Sequence, residues 1–299
     1  MSLTSILTSK GNQKLRDKLK TEFKIPKQEL NTSIYSPPLT KNYGTIGTAF
    51  DYLVRFYVEF INKGSDEVKK WVSEMALDQL ISILSKGKPH MVVGGYRTRI
   101  MIHCESLIKV LSDKFQETTV CYQAYLKNGV MTDKLIEGSI FLAKLDLFYR
   151  TGIVDDDYER FDSNDIVDLR NLYNNLNENS FRVKKKYALN PTFGLGTQLV
   201  RGADADLILD KTLIDIKVTK DMKLSRAYLN QVIMYYVLSL IGGVNGKFKK
   251  NQIKNLGIYF ARQGLLWQIP VDDIADKDSF LKLKQWFLSF MEDEYGIEI

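Results

Sequence analysis

The sequence predicts an α/β protein in which a mixed β-sheet is flanked by helices and a large all-helical segment is inserted into the chain. Two observations lead to this prediction. Apolar residues recur at helical spacing through residues 65–186, whereas beyond residue 187 short β-branched runs alternate with helical ones. A chain of 299 residues, of which 44% are hydrophobic, is also large and apolar enough to bury a substantial core.

The N-terminal part of the chain is predicted to contain an arm and one helix. Residues 1–43 are expected to form a basic N-terminal arm, since lysines are frequent there and two consecutive prolines exclude a regular helix. The next stretch, "GTAFDYLVRFYVEFINKG", has apolar residues at three- and four-residue spacing and predicts a helix. Residues 44–64 and 187–299 are assigned to one core domain, and residues 65–186 to a helical insertion subdomain.

The insertion contains four patterns of helical spacing. These are "DEVKKWVSEMALDQLISILSK", "YRTRIMIHCESLIKVLSDKFQ", "TDKLIEGSIFLAKLDLFYRTG" and "SNDIVDLRNLYNNLN". An insertion of this size offers a surface for a protein partner or for self-association. One alternative hypothesis makes it the main interaction surface of the protein.

Beyond residue 187, strand and helix patterns alternate. Two strands are predicted, Gln198–Leu209 and Leu213–Val218, followed by a helix over "SRAYLNQVIMYYVLSLIGG". The segment "NLGIYFARQGLLWQIPV" predicts a hairpin that turns at Gln263-Gly264, and "DSFLKLKQWFLSFMEDEYG" predicts a closing helix. Together these elements would build a mixed sheet covered by helices.

The composition narrows the possible functions. No run of 18 apolar residues occurs, and the N-terminus lacks a basic start followed by a long apolar stretch, so we expect a cytoplasmic protein without membrane association. With two cysteines and two histidines, neither an iron–sulfur cluster nor a histidine-rich metal site is expected. A metal would be held mainly by carboxylates, which favours Mg²⁺ or Mn²⁺.

The charge is compatible with a nucleic-acid partner. The formal net charge is +6, and basic clusters occur from Lys10 to Lys27, from Arg182 to Lys186 and from Lys247 to Lys250. Taken by itself, each cluster is more typical of a solvated face than of a binding patch.

The stretch "VRGADADLILDKTLIDIKVTK" places charged residues on predicted strands. Because side chains alternate along a strand, Asp204 and Asp206 share one face, and Asp215 and Lys217 share one face. A two-residue turn would set Asp206 opposite Asp215 and Asp204 opposite Lys217, while a three-residue turn would shift the pairing by one. Opposed carboxylates repel unless a cation neutralises them, which favours a divalent-cation site. The alternative is an exposed hairpin with a surface ion pair between Asp204 and Lys217.

This stretch resembles the signature of the PD-(D/E)XK nuclease superfamily. That signature is an acidic residue on one strand followed by Asp/Glu-x-Lys on the next, seen here as Asp215-Ile216-Lys217. The segment "GTAFDYLVRF" resembles the first motif of the RecB-like branch, and "NQVIMYY" supplies Gln231-x-x-x-Tyr235, similar to its Q-x-x-x-Y helix. A strand ending in "YFARQG" follows in the same order.

The resemblance covers about residues 44–62 and 198–270 and implies a restriction-endonuclease-like sheet. It implies a metal-dependent nuclease that hydrolyses phosphodiester bonds of DNA, in repair, recombination, processing or defence against foreign DNA. The implied catalytic residues are Asp206, Asp215, Lys217, Gln231 and Tyr235. The implied ligands of Mg²⁺ or Mn²⁺ are Asp206, Asp215, the Ile216 carbonyl and Asp51. The implied contacts to nucleic acid are Lys217, Gln231, Tyr235 and Arg262.

Two positions leave alternatives open. The first motif of the branch usually carries His where this sequence has Asp51, although Asp is a competent oxygen ligand for Mg²⁺. Asp204 and Asp206 both qualify as the acid of the second motif, and Asp206 is favoured because it precedes the apolar "LIL". The departure at Asp51 supports a second hypothesis, a catalytically degenerate nuclease fold that binds nucleic acid.

Overall fold

A computed structural model describes residues 1–26, 30, 32–63, 71–85, 92–93, 104–155, 158–244, 248 and 252–297. The α-helices of these residues are α1 (Leu3–Thr8), α2 (Gln13–Glu22), α3 (Tyr43–Ile61), α4 (Val72–Ser85), α5 (Cys104–Asn128), α6 (Asp133–Thr151), α7 (Ser163–Asn174), α8 (Glu178–Phe181), α9 (Leu195–Leu199), α10 (Arg226–Gly242), α11 (Val271–Ile274) and α12 (Lys277–Tyr295). The strands are β1 (Val92–Val93), β2 (Ile153–Val154), β3 (Tyr187–Leu189), β4 (Leu207–Leu209), β5 (Thr212–Lys217), β6 (Asn255–Phe260) and β7 (Leu265–Pro270).

The chain forms two compact units. The sheet unit comprises Met1–Ile34 and Asn179–Ile299, and the helical unit comprises Tyr35–Glu178. The predicted α/β class with a mixed sheet and a separate helical block is confirmed at this level.

The sheet unit is built on five strands in the order β3-β4-β5-β6-β7. Neighbouring strands are antiparallel except for β5 and β6, which are parallel and are connected through α10. A parallel pair needs such a crossover, because a tight turn can join only antiparallel strands. Residues of β4 and β5 are buried on both faces, as expected for a sheet that is covered on both sides.

A two-residue turn joins β4 to β5. Leu209 pairs with Thr212, and Leu207 pairs with Ile214, which is the register that the sequence predicts for a turn at Asp210-Lys211. Asp210 adopts a positive φ of 52°, which tight hairpin turns require and Asp tolerates. The register therefore places Asp215 and Lys217 on the sheet face that carries Leu213.

Helix α10 is the centre of the sheet unit. It begins at an N-cap, Ser225, whose hydroxyl accepts a hydrogen bond from the Tyr228 N–H, and it ends at Gly243, as predicted. Apolar residues occur on all sides of α10, which is typical of a fully buried helix. At Gly196 of α9, an added Cβ would lie 2.5 Å from the Leu238 carbonyl oxygen, so glycine is required for this close approach.

The N-terminal residues are part of the sheet unit. Leu3 and Ile6 of α1, and Leu15 and Leu19 of α2, are buried in the same core as α10. The Arg226 guanidinium also donates a hydrogen bond to the Phe23 carbonyl oxygen. The predicted basic arm of residues 1–43 thus differs from the structure, because the apolar residues of α1 and α2 fold against the core and residues 35–43 belong to the helical unit.

The helical unit surrounds α3 and α6. Helix α3 packs against α5, α6 and α7, and α4 packs against α5 and α6. A helix is present in each of the four segments predicted to be helical, as far as they are described; residues 66–70 and 96–103 of the first two segments lie outside the described residues. Helix α6 begins at an N-cap, Thr132, and ends at Gly152 in the left-handed conformation. The contacts of α3 place residues 44–61 in the helical unit, whereas the sequence analysis assigns residues 44–64 to the core domain.

One further prediction differs from the structure, and one strand is not predicted. The strand predicted over Gln198–Leu209 begins only at Leu207, because Leu195–Leu199 form helix α9 against α10. Strand β3 is not predicted at all, since three residues carry too little pattern. None of the helices in the described ranges is both long and apolar enough to cross a membrane.

Candidate active site

The candidate site lies at the end of β5 that is remote from the hairpin turn. Strand β4 starts at Leu207, and the residues before it turn away toward the segment after β3, where the Asn190 N–H donates to the Asp206 carbonyl oxygen at 2.9 Å. The Asp206 side chain still reaches β5, since its Oδ2 accepts a hydrogen bond from the Ile216 N–H at 2.5 Å. Asp206 is therefore held directly beside the strand that carries Asp215.

Asp215 and Lys217 form a buried ion pair on β5. Asp215 is 2% exposed, and its Oδ2 lies 2.6 Å from Lys217 Nζ. The Lys217 ammonium thus contacts the buried Oδ2 atom of Asp215 directly. The Lys217 side chain is 19% exposed. The pair thus joins a buried carboxylate to the surface of the unit.

Two residues of helix α10 extend this ion pair into a chain of four polar side chains, Asp215, Lys217, Gln231 and Tyr235, which we call the polar chain. Lys217 Nζ donates a hydrogen bond to Gln231 Oε1 at 2.9 Å, and Gln231 Nε2 donates one to the Tyr235 hydroxyl at 2.9 Å. Gln231 and Tyr235 are four residues apart and share one helix face. The structure therefore brings together the residues that the resemblance selects from two strands and a helix.

The protonation of these groups follows from burial and from their neighbours. Burial raises the pKa of Asp215, and the positive charge of Lys217 opposes this shift. Burial alone would lower the pKa of Lys217, but the carboxylates of Asp215 and Asp206 outweigh it and raise that pKa. Burial also raises the pKa of Tyr235 well above its ordinary value, and both carboxylates add to the shift. Lys217 is charged and Tyr235 is a neutral phenol at physiological pH.

Two aromatic side chains support the site and are not among the predicted residues. Lys217 Nζ lies 5.0 Å from the ring centroid of Tyr228, a cation–π contact. Tyr235 stacks on Phe193, with ring centroids 5.6 Å apart. Tyr228 precedes Gln231 by three residues on α10, so the helical spacing of Tyr228, Gln231 and Tyr235 is a sequence signal that identifies it.

Asp204 does not take the place that strand pairing predicts. Instead of lying opposite Lys217, it pairs with Thr192 in an antiparallel bridge. The cause is the short β4, because the residues before Leu207 pair with the chain after β3 rather than with β5. Its charge contributes to the raised pKa of Tyr235, after those of Asp215 and Asp206. Asp206 is thus the better supported acid of the second motif.

Asp51 and Arg262 differ from the other predicted site residues. Asp51 belongs to α3 in the helical unit, where its Oδ2 lies 2.5 Å from Nη2 of Arg55. Its role as a metal ligand stays a prediction. Arg262 lies in a 3-10 turn, Ala261–Gln263, and is only 1% exposed. Arg262 is predicted to contact nucleic acid beside the hairpin turn, but its side chain is buried and does not form part of the surface.

The donor atoms of the site suit a hard divalent cation. Asp206 and Asp215 supply carboxylate oxygens, and Ile216 between Asp215 and Lys217 supplies a carbonyl. Across the described residues no group of three or more His, Cys, Asp and Glu side chains is gathered for a metal. Two carboxylates with a carbonyl nevertheless fit Mg²⁺, which usually keeps several water ligands and binds through one or two carboxylates.

Comparison with known proteins gives no relative for this chain. No protein family, no curated protein and no solved structure matches it.

Proposed function

We propose that this protein is a nuclease that hydrolyses phosphodiester bonds of DNA and depends on Mg²⁺ or Mn²⁺. The observation that carries the proposal is the double contact of Lys217, whose ammonium group touches both Asp215 and Gln231. A carboxylate, a lysine and a glutamine from two different elements converge there, in the combination found in the RecB-like branch of PD-(D/E)XK nucleases. The mixed sheet, with α10 crossing between β5 and β6, is consistent with a restriction-endonuclease-like fold.

Each residue has a distinct role in this proposal. Asp206, Asp215 and the Ile216 carbonyl would hold the cation, and by the same resemblance Asp51 would be a further ligand. A bound divalent cation supplies charge neutralisation at the phosphate and lowers the pKa of a water molecule. Lys217 would present a positive charge to the phosphate, since its side chain is 19% exposed whereas Asp215 is buried. Gln231 and Tyr235 fix the position of that ammonium.

A cleavage assay tests this proposal. Purified full-length protein is incubated with linear, circular and single-stranded DNA in the presence of Mg²⁺, Mn²⁺, Ca²⁺ or EDTA. We expect cleavage with Mg²⁺ or Mn²⁺ and none with EDTA. Asp206→Asn and Lys217→Met should each lower the rate by more than about 100-fold, because each removes a charge that acts on the reacting phosphate.

Matched control variants remove one negative or one positive charge at other positions of the sheet unit. Asp273 and Lys277 are exposed, and Asp273→Asn and Lys277→Met should cleave DNA like the wild type. Wild-type protein that leaves every substrate intact in all metal conditions would contradict the proposal.

The alternative, a degenerate nuclease fold that only binds nucleic acid, has its support in the departure at Asp51. Thermal unfolding with increasing Mg²⁺ or Mn²⁺ separates the two hypotheses. A functional site should raise the melting temperature in the wild type but not in Asp206→Asn, because a ligand that binds only the folded state stabilises it. DNA binding without either cleavage or metal-dependent stabilisation would favour the degenerate fold.

A further inference from the structure

A cluster of lysines lies at the other end of the sheet, around the β4–β5 turn. Lys184 and Lys185 precede β3, Lys211 is in the turn, and Lys254 precedes β6; all four are exposed. We call these four residues the basic rim. No ion pair joins any of them to a carboxylate within the described part of the chain. Their charges are available to an anion from solution.

The backbone beneath the basic rim is fixed by one carboxylate. Asp210 accepts hydrogen bonds from the N–H groups of Lys184, Lys185 and Lys186 at 2.9, 2.8 and 3.2 Å, and its own N–H donates to the Lys186 carbonyl at 2.8 Å. Burial alone would raise the pKa of Asp210, but these three hydrogen bonds outweigh it and lower that pKa. Asp210 therefore stays ionised and holds successive lysines in place.

The third segment of the rim is attached to the same turn. The carbonyl oxygen of Lys211 accepts hydrogen bonds from the N–H groups of Lys254 and Asn255, at 2.8 and 3.1 Å. Three separate segments are thus joined by main-chain hydrogen bonds, and each ends in exposed lysine side chains. The main chain of the three segments is therefore fixed, and four exposed lysine side chains start from it around a single ionised carboxylate, Asp210, which leaves an excess of positive charge.

We propose that the basic rim is a second contact surface for the DNA backbone, and this choice of ligand rests on the proposed function. Lys211 and Lys217 are six residues apart along extended chain, which corresponds to about 20 Å. Along a DNA strand that distance spans about six nucleotides. The rim then binds phosphates about six nucleotides from the bond that is cleaved, and it contributes affinity that does not depend on base sequence.

The test compares two variants that lose the same number of charges. In the rim variant Lys184, Lys185, Lys211 and Lys254 are replaced by Ala. In the control variant four other exposed lysines of the sheet unit are replaced by Ala: Lys10, Lys20, Lys277 and Lys282. The hydrogen bonds to Asp210 use main-chain N–H groups, so they are retained in the rim variant. A version with four Lys→Arg changes keeps the charge and should behave like the wild type.

Binding of a labelled 30-base-pair duplex is measured in EDTA between 50 and 300 mM KCl. The logarithm of the association constant falls with the logarithm of the salt concentration, by about 0.9 for each phosphate that a lysine neutralises. We expect the rim variant to lose up to about 3.6 from that slope and at least about tenfold in affinity. An unchanged slope, or an equal loss in the control variant, would overturn the proposal.

Cleavage kinetics give a second readout. With long DNA the rim variant should show a raised KM and an unchanged kcat, whereas a substrate too short to span about six nucleotides beyond the cleaved bond should be cleaved equally by both proteins.

If the wild type cleaves DNA but the rim variant matches the control variant, only the rim proposal fails. If no protein cleaves DNA, the proposed function fails while the binding measurement still decides the role of the rim. Reduced binding to phosphatidylserine vesicles with unchanged DNA binding would assign the rim to a membrane and overturn the proposal.

Discussion

Each unit of the molecule buries an aspartate, and the two aspartates have different surroundings. Asp215 in the sheet unit is 2% exposed and belongs to a polar chain that leads through Lys217 toward solvent. Asp146 in the helical unit is 3% exposed, and its Oδ1 accepts a hydrogen bond from the Tyr52 hydroxyl at 2.9 Å. The Tyr52 oxygen in turn accepts a hydrogen bond from the Ser73 N–H at 3.2 Å.

The proposed function gives Asp215 a chemical role, whereas the contacts of Asp146 are structural. Around Asp146 the partners connect α3, α4 and α6, and Arg55 packs over the Tyr52 ring at 4.1 Å from its centroid. These contacts cross-link helices. Around Asp215 the partners are instead Lys217, whose side chain is 19% exposed, and through it Gln231. Burial of a carboxylate is therefore not enough to identify a site, and the deciding feature is where its partners lead.

The largest effect is expected on the rate of DNA cleavage when each of the two aspartates is replaced by asparagine. Asp215→Asn should lower metal-dependent DNA cleavage by more than about 100-fold, because it removes a charged ligand at the reacting centre. Asp146→Asn makes the same chemical change at an equally buried position and should leave the cleavage rate within about twofold, since Asp146 is not among the residues proposed to hold the cation or to contact the phosphate. Both rates are measured at saturating Mg²⁺. Equal losses of cleavage rate in the two variants would contradict the different roles of Asp215 and Asp146.

The second effect concerns the pH dependence of stability in the helical unit. Burial raises the pKa of Asp146 to about 6, while the charges of Arg55 and Arg150 oppose the shift and that of Asp51 adds to it. Because this pKa is above the ordinary value of 3.8, the folded state holds the proton more tightly than the unfolded state. The contribution of Asp146 is therefore most favourable below pH 3.8 and is lost as the pH rises through about 6.

Asp146→Asn should remove this dependence while keeping an acceptor for Tyr52. We expect the variant to be more stable than the wild type at pH 7.5, by up to about 3 kcal/mol, and to lose that advantage near pH 4. Urea unfolding of both proteins at several pH values measures the difference. A variant that is less stable than the wild type at pH 7.5 would show that the ionised carboxylate stabilises the helical unit.

The third effect addresses the polar chain. Gln231→Leu keeps the size of the side chain but removes both hydrogen bonds, so Lys217 loses one of its two fixed partners. We expect cleavage to fall by about tenfold, the equivalent of a lost hydrogen bond to a charged group. Tyr235→Phe removes only the more distant bond and should have a smaller effect. An equal loss in Tyr235→Phe would show that Tyr235, rather than Gln231, acts at the substrate.

The smallest effect is expected at Tyr228. Tyr228→Leu removes the ring beneath the Lys217 ammonium and should lower cleavage by about two- to fivefold, as expected for a cation–π contact of about 0.5–1 kcal/mol. Tyr228→Phe retains the ring and should cleave DNA like the wild type. A loss in Tyr228→Phe as well would mean that the hydroxyl is the functional group.

Much of the fold could be predicted because single elements carry strong local patterns. The long helices follow from apolar spacing, and the β4–β5 register follows from strand parity and a two-residue turn. The helix α9 could not be predicted, since it is short and depends on the close approach of Gly196 to α10. The burial of the N-terminal helices could not be predicted, because lysines on their outer face are typical of a solvated arm.

The candidate site could be predicted in part for the same reason. Asp215, Lys217, Gln231 and Tyr235 lie on regular elements, where periodicity fixes the face that each side chain occupies. Arg262 lies in a 3-10 turn between two strands, and no periodic rule predicts its burial. The position of Asp204 depends on its pairing with Thr192, which does not belong to a predicted strand.

The hairpin turn has a consequence for how the sequence can change. An inserted or deleted residue between Leu209 and Thr212 would rotate β5 by one position relative to β4, and Asp215 would exchange faces with Ile214. The turn therefore does not tolerate changes of length, and Asp210, with its positive φ and its three bound N–H groups, fixes the register. A residue several positions from the candidate site in this way decides whether that site exists.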